Sequence, residues 1–301
     1  MNNAAQNLLL ACPPWRRAFA VQCDTVQAFH ESCLDVLRDR CPLQPLDPKL
    51  LSLKRNLFST LFIMATAAAG VAEEKLPFYA MLNQCLRAQV TGCDNLLDDE
   101  YKSVIPFDLP GGGIRFRSVL MIMTADAVLS RRILAEVAAG RMTEEEARRL
   151  QATALGVLIP SGIEEHEEES GGADAVPSVA TMLQQVHFRK TGLLFEAPVR
   201  LAETMGDTDP ERADRVAGAL SDFGIGCQII DDLNDVADDL ACGKFNLVVS
   251  EACYGEDEQE RERVLSLRNS VVSPEEVRRL AAALPAARSR CLGHSLAYFQ
   301  R

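Results

Sequence analysis

The sequence predicts an all-α protein, and three observations carry that expectation. Alanine and leucine abound while aromatic residues make up only 6% of the chain, a composition that favours helices over sheets. Apolar residues recur at helical spacing, as in Val26, Phe29, Cys33 and Leu37. Two acidic clusters, Asp94-Asn95-Leu96-Leu97-Asp98-Asp99-Glu100 and Asp231-Asp232-Leu233-Asn234-Asp235, repeat their carboxylates at the interval of a helical turn. The nearest approach to a strand is Val248-Val249.

The elements follow in order. Residues 1–20 are expected to form an arm. MNNAAQNLLLAC lacks the basic start and the long apolar stretch of a signal peptide. Residues 20–37 carry the first helical pattern, and Pro42, Pro45 and Pro48 then break the chain. Residues 49–71 and 76–100 carry two long helical patterns. The longest apolar run, 57–71, is interrupted by Ser59, Thr60 and Thr66 and falls short of the roughly 20 residues a membrane span needs. It reads as a buried helix, and no transmembrane segment is expected.

Residues 106–113 read as a loop and 116–137 as the next helix. Thr143 with Glu146 fits a capping box, as does Ser273-Pro274-Glu275-Glu276. Residues 161–177, with Glu164-Glu165-His166-Glu167-Glu168-Glu169 and a glycine-rich piece, are expected to be a mobile acidic loop. Asp209-Pro210 opens the helix that ends in the second acidic cluster. With 301 residues, 48% of them hydrophobic, and no internal repeat, the chain is expected to form a single domain, 1–301.

A net charge of −12 argues against nucleic acid as a partner, since its backbone calls for clustered Lys and Arg. Ten cysteines without a CxxC pair read as reduced core thiols in a cytoplasmic protein.

The acidic clusters carry the chemistry. Asp94 with Asp98, and Asp231 with Asp235, lie four residues apart, so each pair shares one helix face. Like charges so close raise each other's pKa unless a cation lies between them. Hard oxygen ligands suit Mg²⁺, which completes its shell with water and phosphate oxygens. A solvated acidic face is the plain alternative for either cluster alone. The apolar flank Gly224-Ile225-Gly226-Cys227-Gln228-Ile229-Ile230 weighs against it for the second. A di-iron carboxylate bundle is set aside, because none of the four histidines has Glu three positions before it.

The stretch GCQIIDDLNDVADDLACGKFN resembles the second aspartate-rich motif of the trans-isoprenyl diphosphate synthases, the polyprenyl synthetase family. Gln228, Asp231, Asp232, Asp235 and Lys244 match that pattern. Phe188-Arg189-Lys190-Thr191-Gly192 is similar to the family's Lys-Thr motif. Asp94 and Asp98 match the first motif, with Asn95 in place of its second Asp. The resemblance implies the isoprenoid synthase helical bundle around a central apolar cavity. It also implies a prenyl diphosphate substrate, a homodimer, and three Mg²⁺ ions held by Asp94, Asp98, Asp231, Asp232 and Asp235. Lys190 and Lys244 are then expected at the diphosphate, and Thr191 and Gln228 as dipoles near the developing cation.

The departures from the pattern are at the second substrate. Elongating members carry an Arg pair five and six positions after the last Asp of the first motif; here Ser103 and Val104 stand there. Their Gly-Gly-Lys-x-x-Arg motif has its nearest match in Ser52-Leu53-Lys54-Arg55-Asn56-Leu57, without the glycines and with Leu57 for the Arg. The expected activity is therefore terpene synthase-type: Mg²⁺-dependent ionisation of a single prenyl diphosphate, with Arg115 and Arg117 as replacement diphosphate contacts. A chain-elongating prenyltransferase, served by Lys54, Arg55, Lys102, Arg115 and Arg117, is the first alternative. A non-catalytic partner subunit of a heteromeric synthase is the second. On the same pattern, Asn95→Asp is expected to be mild or favourable.

Overall fold

The computed structural model describes residues 3–97, 101–111, 113–169, 176–268, 275, 279 and 282–301. Apart from a single bridge between Leu43 and Phe107, the regular structure of these residues is helical. The chain gathers into two compact units, Met1–Gly156 with Ala197–Val216 and Val157–Glu196 with Ala217–Arg301.

The first unit holds α1 (Asn3–Ala11), α2 (Pro13–Leu37), α3 (Leu53–Ala68), α4 (Leu76–Leu97) and α5 (Ile114–Ala138). The expected arm is thus helical, and α2 starts seven residues earlier than its periodicity suggested. Pro13 and Pro14 sit in its first turn, where a missing N–H costs nothing. Ala18 and Gln22 extend the inward stripe of Thr25, Val26, Phe29, Cys33 and Leu37. Helix α2 packs on α3, α4 and α5, and α4 packs along α5. Phe29, Cys33, Met81, Cys85, Phe107 and Met121 fill the core between them. Burial pushes the Cys33 thiol up to about 12, as expected for an inert core cysteine.

Residues 49–71 are not one helix. A 3₁₀ turn, Pro48–Leu51, precedes α3, and Asn56 leaves helical geometry near its start. Gly70 ends the segment at φ +106°, and a Cβ there would stand 3.0 Å from the Asp209 amide nitrogen. Only glycine meets both conditions. The Thr143–Glu146 capping box forms as expected: Thr143 N donates to Glu146 Oε2 (2.7 Å) and Glu146 N to Thr143 Oγ1 (3.2 Å). It opens α6 (Glu144–Glu169), which runs from the first unit into the second. The proposed box at Ser273 lies outside the described residues.

Helix α6 replaces the expected loop over residues 161–169, where Glu164 to Glu167 are helical, while 170–175 lie outside the described residues. The reason is electrostatic: the acids face Arg189 and Lys190, which offset their mutual repulsion. Helix α7 (Leu193–Thr204) follows a wide π-helical stretch, Met182–Val186 and Phe188–Gly192. Asp209 caps α8 (Pro210–Cys242) by accepting from Arg212 N at 2.9 Å.

Val248 and Val249 belong to a helix, α9 (Leu247–Tyr254), not a strand. Asn246 caps it, accepting from Val248 N at 2.9 Å. Helices α10 (Glu258–Arg268) and α11 (Pro285–Phe299) complete the chain. Buried Glu260 on α10 accepts from Ala286 N (2.7 Å) and Ala287 N (2.9 Å), so a carboxylate satisfies the first turn of α11. The core of the second unit runs through Met182, Val186, Ile225, Ile229, Leu247 and Tyr298. Among the described residues no helix is long and apolar enough to cross a membrane.

Candidate functional site

The second acidic cluster lies on α8, where helix geometry sorts its members. Asp231 and Asp235 are exposed one turn apart, whereas Asp232, rotated by one residue, is buried. Asp232 Oδ2 accepts from His187 Nε2 (3.0 Å) and from Leu247 N (2.7 Å). Its Oδ1 accepts from Gln228 Nε2 at 3.3 Å. Asp232, expected as a metal ligand, has protein donors on both of its oxygens. Thr191 donates to Gln228 Oε1 at 2.6 Å, so these two side chains form a chain to Asp232.

The Lys-Thr motif reaches α8 through the π-helical stretch, an irregularity often found at functional positions. Gly192 permits the approach, since a Cβ there would stand 2.8 Å from Ser221 Oγ. Lys190 Nζ lies 3.0 Å from Glu165 Oε1. Lys244 follows Gly243, whose φ of +71° ends α8. Asn246 donates to Asp232 O (2.9 Å) and to Asp239 Oδ2 (2.7 Å). Burial, with the charges of Asp232 and Asp235, pushes the Asp239 carboxyl up to about 6, against the pull of Asn246 and Lys190. Neither His187 nor Asn246 was singled out from the sequence. His187 stands one turn before Lys190, the one signal that could have found it.

In the first unit Asp94 lies near the end of α4; Asp98, its expected partner, lies outside the described residues. Asn95 is buried and clasps the backbone of residue 102. Its Nδ2 donates to Lys102 O (3.0 Å), and its Oδ1 accepts from Lys102 N (2.8 Å). Arg117, expected as a diphosphate contact, braces the loop before α5. It donates to the carbonyls of Leu109 and Gly111 and lies over the Tyr101 ring. Arg115 is exposed in the first turn of α5.

A residue missed in the sequence completes the cationic end of α3. Arg87, on α4, donates to Asn56 Oδ1 (3.1 Å), Ser59 Oγ (3.5 Å) and Arg55 O (2.9 Å). Gln22 joins this network by donating to Asn56 Oδ1 (3.2 Å) and Gln84 Oε1 (3.1 Å). Burial and then the Arg55 charge pull the Arg87 pKa below the usual arginine range. Two guanidinium groups thus share one region, and the Arg87 contacts are all to uncharged oxygens. Among the described residues, no group of three or more His, Cys, Asp or Glu converges tightly enough to hold a metal ion alone.

Two outcomes follow from this geometry. Asn95→Asp should destabilise the protein by roughly 1–3 kcal/mol in urea unfolding, because a carboxylate cannot donate to Lys102 O. The expectation drawn from the motif pattern concerns turnover and is a separate matter; a variant as stable as the parent would refute the clasp. Asp239 gives the pH dependence. Its folded pKa is raised above the ordinary 3.8, so its contribution to stability is complete below about pH 4 and is lost as the pH rises through about 6. Metal-free Asp239→Asn should therefore melt higher than the parent at about pH 8 and alongside it at about pH 4. Equal differences at both pH values would contradict the assignment.

The chain is similar to solved structures of prenyl-chain enzymes. Polyprenyl synthase from Roseobacter denitrificans shares 17% identity, covering 95% of this chain and 89% of that one, with a TM-score of 0.61. Decaprenyl diphosphate synthase from Rhodobacter capsulatus shares 14%, covering 92% and 90%, with a TM-score of 0.62. Geranylgeranyl pyrophosphate synthetase from Pyrococcus horikoshii Ot3 shares 15%, covering 95% and 99%, with a TM-score of 0.58. At such identities the likeness is one of fold, the all-α isoprenoid synthase bundle. No curated protein sequence matches the chain. The description of the polyprenyl synthetase family matches residues 122–284, more than half of the length. The chain belongs to the polyprenyl synthetase family.

Proposed function

We propose that this protein is a prenyl diphosphate synthase that joins an allylic prenyl diphosphate to isopentenyl diphosphate. Arg87 is the observation that carries this reading over the single-substrate terpene synthase. Leu57, Ser103 and Val104 suggested that the second diphosphate had lost its cations. Arg87 brings a guanidinium from α4 to the start of α3, where it bonds Asn56 and the Arg55 carbonyl, next in sequence to Lys54. The Asn95 clasp also fixes the backbone of Lys102, one position before Ser103. The structural relatives, named polyprenyl synthase, decaprenyl diphosphate synthase and geranylgeranyl pyrophosphate synthetase, lean the same way.

In this reading Lys54, Arg55 and Arg87 bind the isopentenyl diphosphate. Lys190 and Lys244 bind the allylic diphosphate. The allylic C–O bond breaks with its electron pair leaving on diphosphate. The isopentenyl double bond then forms the new C–C bond, and a proton is lost to restore an alkene. Exposed Asp231 and Asp235 offer hard oxygens on one helix face, a donor set that fits Mg²⁺ with its remaining positions left to water and phosphate. Asp94 and Asp98 would hold the same kind of ion. The metal, in three copies on the family pattern, would supply neutralisation of the leaving diphosphate.

The test is incubation with geranyl, farnesyl or geranylgeranyl diphosphate and Mg²⁺, with and without isopentenyl diphosphate. Products longer by isoprene units should form only with both substrates, and excess chelator should abolish them. Arg87→Ala should raise KM for isopentenyl diphosphate by about 10- to 100-fold, the worth of a lost charge-assisted contact, and affect the allylic KM less. Diphosphate release from the allylic substrate alone, unchanged by isopentenyl diphosphate, would restore the terpene synthase reading. Inactivity with every pair would favour the partner subunit.

We also infer a homodimer. Phe116, Met123 and Leu134 are 63%, 63% and 65% exposed along one face of α5, a stripe that a second copy would cover. Light scattering should give twice the chain mass, and Met123→Lys should lower it. A monomeric parent would remove this inference.

A further inference from the structure

The acidic end of α6 plays no part in the reaction described so far, yet it touches the Lys-Thr motif. Glu165 Oε1 lies 3.0 Å from Lys190 Nζ, and both side chains are mostly shielded from solvent, at 21% and 22% exposure. Beside them, Glu164 is 3% exposed, with Oε2 lacking a hydrogen bond; Arg189 Nη1 is its nearest cation, at 3.5 Å. Ser161 Oγ donates to Lys190 O at 3.1 Å, tying the same turn of α6 to the Lys190 backbone. Burial and then Glu167 raise the Glu164 carboxyl, so this end of α6 is crowded with negative charge.

An acidic helix end is a costly neighbour for a residue that must bind a polyanion. Desolvated carboxylates near Lys190 repel an incoming diphosphate, and the one in contact also occupies its ammonium. On the reading that Lys190 contacts the allylic diphosphate, we propose that Glu165 is an internal competitor for that anion. It holds Lys190 while the diphosphate is absent and yields it when the diphosphate enters. A diphosphate bears more charge than one carboxylate and can displace it. The affinity for diphosphate is lowered by whatever the broken Glu165 contact was worth. Glu165 is thus a positioning residue that sets the binding threshold through Lys190, and the acidic segment acquires a function.

Titration calorimetry with inorganic diphosphate in the presence of Mg²⁺ reads the effect without any elongation reaction. Glu165→Gln keeps the shape and removes the competing charge, and should tighten diphosphate binding about two- to fivefold, the range of a partly exposed ion pair. Glu167→Gln removes the same charge from an exposed position on the same turn and should change binding less. In a Lys190→Met background the Glu165→Gln effect should vanish, as a double-mutant cycle requires if the two act on each other. The proposal is overturned if Glu165→Gln leaves binding unchanged or weaker, if Glu167→Gln matches it, or if the effect persists without Lys190. Absence of diphosphate binding by the parent itself would instead overturn the functional reading on which the proposal rests.

Discussion

The second unit is organised around one buried carboxylate. Asp232 is 5% exposed, and an ionised group so placed is tolerated only when protein donors replace its water. Those donors come from three separate pieces of chain: His187 in the π-helical stretch, Gln228 on α8 and the Leu247 amide at the start of α9. Asn246 adds a contact to the Asp232 backbone carbonyl. Satisfying this charge therefore draws the Lys-Thr motif, the acidic helix and α9 together. Lys190 and Thr191 follow His187 on the same stretch, so the partner of Asp232 also fixes where they stand. Removing any one donor leaves the carboxylate short of a partner, which makes the arrangement cooperative rather than a set of separate contacts.

Charge in the second unit is divided by exposure. Asp231 and Asp235 are exposed, while Asp232 turns inward and Asp239 is half-buried. Lys190 is drawn toward acids from two directions, Glu165 on α6 and the Asp235–Asp239 side of α8. The first unit shows the opposite balance at the start of α3, where Arg55 and Arg87 approach without a carboxylate in the Arg87 network. In a protein of net charge −12 that pairing stands apart from the acidic second unit.

Helix positions were largely legible in the sequence because they depend on local signals. The 3.6-residue period, the Thr143–Glu146 box and the Asp209-Pro210 start all act within one turn. What was misread depends on partners distant in sequence. Glu164 to Glu167 read as a loop because their composition is unfavourable alone; the cations that steady them lie more than twenty residues later, at Arg189 and Lys190. Val248 and Val249 gave the nearest approach to a strand because the Asn246 cap and the Asp232 contact to Leu247 are invisible in a two-residue window. Arg87 was passed over because its value comes from Asn56 and Arg55, on another helix.

The aspartate motifs themselves show how much a letter means apart from its geometry. Successive residues on a helix differ by about 100° in direction, so the first and second positions of each motif face different surroundings. In both motifs the second position turns inward and holds backbone. Asn95 binds residue 102, and Asp232 binds Leu247. The chemistry of each partner set selects the residue. Asp232 receives donors alone, from His187, Gln228 and an amide, and a carboxylate suits that set. Asn95 must accept from an N–H and donate to a carbonyl at once, which an amide does and a carboxylate does not. The asparagine that looks like decay when the motif is read as a row of metal ligands is thus the residue its surroundings require.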